Sequence, residues 1–208
     1  MTIGKNLLSA LLSTLAIHGC TVTSLGLGPV SPPKTYDLLS PVDNSSGEVA
    51  RTPFQVLVRE PAAIRALAGD RILIKPAPAE IVYFGKAVWS LVMLNVYRDR
   101  IVETLQNSGR FAAVSDGRAR IDVDLELTTS IRKFQIDMLS SGAVASVALH
   151  SKIIDQRGGR VIAARGFVAH ARADDNSLSA SVTALNIAMQ DVLPRLSHWI
   201  ATTNYERY

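Results

Sequence analysis

The chain has very little cysteine: one thiol, Cys20, in 208 residues. That excludes an internal disulfide framework and any Cys-rich metal site, so a hydrophobic core must hold the fold. Aromatic residues make up 6% and charged residues 19% of the chain. The formal net charge is +4, and the arginines are scattered from Arg51 to Arg207 with no block of one sign. With no basic stripe interleaved with aromatics, nucleic-acid binding is disfavoured. No Gly-x-Ser-x-Gly, Gly-rich phosphate loop or His-Glu-x-x-His is present, which removes the usual hydrolase, nucleotide and zinc-protease signatures.

A long apolar run is missing as well, with one partial exception at the start. Lys5 precedes Leu7, Leu8, Leu11, Leu12, Leu15 and Ile17, and Gly19 stands directly before Cys20. The run is too short to span a bilayer comfortably as a finished helix. A transmembrane segment and a cytosolic chain with an incidental thiol are the alternatives. The layout is that of a bacterial lipoprotein signal: residues 1–19 as signal peptide and Cys20 as the lipidation site. His18 is bulkier and more polar than the residue usual there. Each buried methylene contributes about 0.8 kcal/mol, and one chain alone holds marginally, so two or three chains of the palmitate class give a durable anchor. Cleavage would remove one positive charge, Lys5, and leave +3.

Residues 20–34 form the lipidated N-terminus and linker. Gly26 and Gly28 loosen it, and Pro29, Pro32 and Pro33 extend its end. Fully drawn out it reaches about 45 Å, enough for the domain of residues 35–208 to stand clear of the headgroups.

Within that domain the spacing predicts short strands at 35–39, 54–58, 70–75 and 80–84, a loop at 42–52 and a helical turn at 62–69. A helix opening at Trp89-Ser90, with Ser90 as N-cap, carries Leu94, Tyr97, Ile101 and Leu105 on one face and stops at Gly109. A short strand at 111–114 follows. Ile121, Val123, Leu125 and Leu127 alternate with acids, and the apolar parity then switches by Phe134 and Ile136, which predicts a bulge near Arg132. Strands at 143–154 and 160–171 flank a turn with Gly158-Gly159. A last helix from Leu178 to about Thr202 is capped by Asn176 or Ser177 and carries an apolar stripe from Leu178 to Ile200. Pro194 predicts a kink near Gln190, with the last turn free to lean away from the sheet. The fold class is α/β: one domain with a mixed β-sheet packed by two long amphipathic helices.

Candidate chemistry is thin. His150 and His170 fall on strands expected to pair, where a metal pair is conceivable, but surface or hydrogen-bonded imidazoles are the expected state. The Asp122, Asp124, Glu126 row reads as the wet face of a strand rather than a cation site. Trp89 and Trp199 read as core or interface anchors. The last helix's stripe reads as core, though a lipid-binding groove would give the same pattern.

Several segments, in order, resemble the ABC-type transport auxiliary lipoproteins, including the paraquat-inducible Pqi lipoprotein and similar components of MCE lipid transport systems. They are Tyr36-Asp-Leu-Leu-Ser-Pro41, Asp70-Arg71-Ile72 with Tyr83 and Trp89, LQNSGRFAAV from Leu105 to Val114, and Asn176-Ser177-Leu178. The resemblance implies a non-enzymatic, periplasm-facing lipoprotein without cofactor. It implies partners in an MCE substrate-binding protein and an ABC permease and ATPase, moving lipids or other hydrophobic molecules between envelope membranes. Thr21 after Cys20 is the pattern similar lipoproteins show when sent to the outer membrane. A stand-alone lipid-binding carrier is the alternative; a lipid ligand and a homo-oligomer are compatible with either.

Overall fold

A computed structural model describes residues 31–41, 51–119 and 121–205. The signal, Cys20, nearly all of the linker and most of the expected 42–52 loop lie outside the described residues. Pro32–Tyr208 forms one compact unit, built on a mixed sheet of nine strands with two helices.

The sheet grows from three long strands: β7 (Leu125–Leu139), β8 (Gly142–Asp155) and β9 (Arg160–Arg172). They form an antiparallel meander in which Leu125 faces Asp155 and Ile131 faces Leu149, while Leu149 faces Phe167. The ladder slips between Ile131 and Lys133, leaving Arg132 as an extra residue. That slip keeps Ile131 before it and Phe134 and Ile136 after it buried on the same face of the sheet, opposite Leu149, Val147 and Ala145, as the parity switch requires. Gly159 closes the β8–β9 turn at φ 63°, a region that favours glycine.

The other edge of β7 is shared by three short strands, all parallel to it. β2 (Gln55–Val58) pairs with its start, β3 (Ala62–Ala63) with its middle and β4 (Arg71–Lys75) with its far part. β6 (Ala113–Ser115) extends the sheet beyond β2; β5 (Val82–Trp89) and then β1 (Lys34–Tyr36) extend it beyond β4. Helix α1 (Met93–Asn107) links β5 to β6, and α2 (Leu178–Thr202) follows β9.

Both helices lie on one face. Phe134 pairs with Val147 and Phe167 with Leu149, two residues along β8, so the two rings share a side. Tyr97 of α1 meets Phe134 edge-on at 5.4 Å, and Trp199 of α2 meets Phe167 at 5.6 Å. Trp89 also tilts against Phe134 at 5.5 Å. Beneath the helices Ile101, Leu105, Leu185, Met189, Val192 and Leu193 are buried.

Several local expectations shift. β1 ends at Tyr36 instead of Leu39 because Asp37–Leu39 bond to side chains rather than to a strand. Residues 62–69 give a two-residue strand and a 3-10 turn at Arg65–Leu67. β5 continues to Trp89, so α1 starts at Met93, its N-cap Val92 makes no side-chain bond, and Ser90 is not the cap. The strand expected from Ile121 starts at Leu125, and that expected at 111–114 lies at Ala113–Ser115. Gly109 adopts φ 62° just past α1, and Ser177 Oγ caps α2 by accepting from Ala180 N at 3.2 Å. α2 continues through Pro194, and Leu196, Trp199 and Ile200 beyond it stay buried. No helix among the described residues is long and apolar enough to cross a membrane.

Candidate functional site: a strap and a cleft between the helices

The segment Asp37 to Pro41 leaves the sheet and straps across both helices. Leu38 is buried in the core at 1% exposure, and Pro41 is buried behind it. Arg100 of α1 holds the strap. Its Nε donates to the Leu38 carbonyl at 2.6 Å, Nη2 to Asp37 Oδ2 at 3.0 Å, and Nη1 to Ser40 Oγ at 3.1 Å and Glu103 Oε2 at 2.6 Å. Ser40 Oγ also donates to Glu103. That hydroxyl first, and the Arg100 guanidinium after it, hold the Glu103 carboxyl below its ordinary value of 4.5, against an opposing desolvation. From α2, Asn186 Oδ1 accepts from Leu39 N at 2.6 Å while its amide donates to the Val182 carbonyl at 3.1 Å.

Just past the strap the helices part over a pocket of about 510 Å³, whose wall includes Pro41. Thr104, Ser108 and Arg110 come from α1 and its exit; Arg165, Gly166 and Phe167 come from β9. The α2 side is Pro194, Arg195, Ser197 and His198. Two hydroxyls in the wall turn inward to their own helix: Thr104 Oγ1 donates to the Arg100 carbonyl and Ser108 Oγ to the Leu105 carbonyl. What remains is largely apolar, with cations at the rim. Arg165 lies over the Phe167 ring at 5.5 Å. Arg195 binds Asp191 at 3.1 Å and donates to the Val168 carbonyl at 2.8 Å.

The histidines are not brought together as a metal pair. His170 faces Ser146 and His150 faces Gly166, four residues apart along the ladder. His170 Nδ1 lies 3.0 Å from Ser146 Oγ, which donates to Asp137 Oδ2, on the face away from the helices. Among the described residues no group of three His, Cys, Asp or Glu side chains is placed to hold a metal ion. Asp124 and Glu126 tie loops: Asp124 Oδ2 accepts from Gln55 N and Glu126 pairs with Arg59 at 2.8 Å. Trp89 and Trp199 are core residues at 3% and 8% exposure. Sequence reasoning missed Arg100 and Asn186. The one available signal was a polar Asn186 directly beside Leu185 in an otherwise apolar stripe.

The arrangement offers surfaces and a pocket, and among the described residues none of the cleft's serine or threonine hydroxyls is hydrogen-bonded to an imidazole or a carboxylate. A solved structure of a Xanthomonas campestris protein is similar at 26% identity and a TM-score of 0.74, covering 82% of this chain and 96% of that one. A hypothetical protein from Chlamydia trachomatis, at 9% identity and a TM-score of 0.51 over 73% of this chain and 98% of that one, shares the fold. No protein with a curated description matches. The model of the ABC-type transport auxiliary lipoprotein component matches residues 36–196, from the strand before the strap to the last turns of α2, and the chain belongs to that family.

Proposed function

We propose that this chain is a non-enzymatic accessory lipoprotein of an MCE-type ABC transport system, anchored through lipid on Cys20 at the outer membrane and facing the periplasm. The observation that carries the reading is the family match across residues 36–196. It works by docking rather than chemistry. The outer edge of β9 has no strand partner among the described residues, and it carries the exposed Val161 and Val168. Such an edge offers backbone donors and acceptors to a partner or to a second copy. The cargo is a lipid or another hydrophobic molecule handed between membranes.

The test is affinity purification of the tagged, lipidated chain from gently solubilised envelopes, with partners identified by mass spectrometry. Recovery of an MCE protein with its permease and ATPase is expected. Their absence from the purified fraction, in cells that produce them, overturns the accessory role.

The pocket beside the strap favours a second reading, an independent lipid carrier. Recovery of lipid without protein partners is its signature. The packed interior beneath α2, where Leu185, Met189 and Val192 are at 1% exposure or less, counts against a cavity running under the helices.

A further inference from the structure

We propose that the pocket between α1, α2 and β9 binds a single acyl chain bearing an anionic head group, of the long-chain fatty-acid class. The apolar part of the wall fits a hydrocarbon: the Phe167 ring, Pro41 and the exposed Pro194 ring. Its volume, about 510 Å³, lies within the range of small-molecule sites. It has room for one chain and not for the pair of a diacyl phospholipid.

The rim selects the head group. Arg110, Arg165 and Arg195 all line the pocket, and none of its other lining residues is an acid. Arg195 is partly neutralised by Asp191. The guanidinium groups of Arg110 and Arg165 have no hydrogen-bond or ion-pair partner among the described residues, although Arg165 rests over Phe167. Planar guanidinium groups at the mouth of an apolar pocket match a carboxylate bidentately. Ser197 adds a second sign of an incomplete site: it is buried in the same wall, and its hydroxyl has no hydrogen-bond partner among the described residues. Pro194 also acquires a role. A proline inside α2 costs helix stability, and it sits where a rigid apolar ring forms part of the pocket wall.

The inference rests on the lipid-handling reading only for its choice of ligand. The probe is a photoactivatable palmitate added to the full lipidated chain in membrane vesicles, with labelled peptides mapped by mass spectrometry. Labelling is expected on the peptides carrying Phe167 and Pro194. Excess palmitate should compete, and methyl palmitate, which lacks the charge, should compete at least tenfold less well. Arg110→Gln with Arg165→Gln should reduce labelling tenfold or more, while Arg157→Gln, far along the sheet, should leave it unchanged. Circular dichroism of each variant reports folding. Labelling spread over other peptides, equal competition by the methyl ester, or unchanged labelling in the folded double variant overturns the proposal. The methyl-ester comparison needs no variant at all. Failure here leaves co-purification of transporter partners untouched, so the two readings fail separately.

Discussion

Arg100 Nε donates to the backbone carbonyl of Leu38 at 2.6 Å, so one side chain on α1 fixes the path of a segment 62 residues earlier. The same guanidinium reaches Asp37, Ser40 and Glu103. A hydrogen bond to a charged group is worth about 1.5–3 kcal/mol, and a planar fork shares itself among several acceptors in a way an ammonium does not. Arg100→Ala is therefore expected to cost about 2 kcal/mol, and Arg100→Lys most of the same amount. Urea unfolding reads this as a lower midpoint with an unchanged slope. An unchanged midpoint for the alanine variant would show the strap held by Leu38 burial and by its other hydrogen bonds, to Asn186, Glu103 and Ser90.

Glu103 makes the strap sensitive to acid. Its folded carboxyl lies below its ordinary value of 4.5, first through the Ser40 hydroxyl and then through Arg100. A depressed carboxyl contributes stability above its unfolded value, and that contribution is lost as pH falls through the folded value. The thermal midpoint of the native chain should exceed that of Glu103→Gln at pH 7, and the gap should narrow as pH falls below the ordinary value of 4.5 and vanish once it has passed the lower folded value. A gap that stays constant through this range would remove Glu103 from the pH response.

What the sequence showed depended on how far each determinant lies along the chain. The β8–β9 hairpin, the bounds of α2 and the slip at Arg132 were legible because periodicity and turn residues sit inside the segments they describe. The start of α1 was not. Met93 N donates to the Gly69 carbonyl and Ser90 N to the Tyr36 carbonyl, so distant backbone sets where β5 ends and the helix begins. The strap reads as a strand by composition, and side chains distant in the chain, Asn186 at 147 residues and Arg100 at 62, help turn it aside. The pocket was invisible for the same reason: its wall comes from both helices and from β9.

Tyr97 gives a test of the core. It is fully buried against Phe134, and its hydroxyl has no hydrogen-bond partner among the described residues. Burial pushes that hydroxyl well above its ordinary value of 10.0. An unpartnered buried hydroxyl costs about 1–3 kcal/mol, so Tyr97→Phe should be neutral or stabilising by about 1 kcal/mol. The raised value also predicts stability that is full below pH 10 and falls above it, as the unfolded chain ionises and the folded one does not. Tyr97→Phe should flatten that alkaline loss in thermal unfolding. Strong destabilisation by the substitution would mean that the hydroxyl has a partner.

The proposed anchor is tested at Cys20. Cys20→Ala removes the only thiol to which lipid could be attached, and it should move the domain from the membrane pellet to the soluble periplasmic fraction. Membrane retention of the variant would overturn lipidation at this residue as the tether.

Pro194 separates helix stability from pocket shape. α2 continues through it, although proline removes a backbone donor and crowds the carbonyl four residues before, at Gln190. Proline is about 3 kcal/mol less favourable than alanine inside a helix, so Pro194→Ala should raise stability by about 2 kcal/mol. Calorimetry would read it as a higher Tm. Because the ring is exposed and forms part of the pocket wall, the stabilised variant should also lose part of the palmitate labelling proposed above. A higher Tm with undiminished labelling would leave the proline without a role in the pocket. A lower Tm would show that contacts of the ring outweigh the restored helix bond.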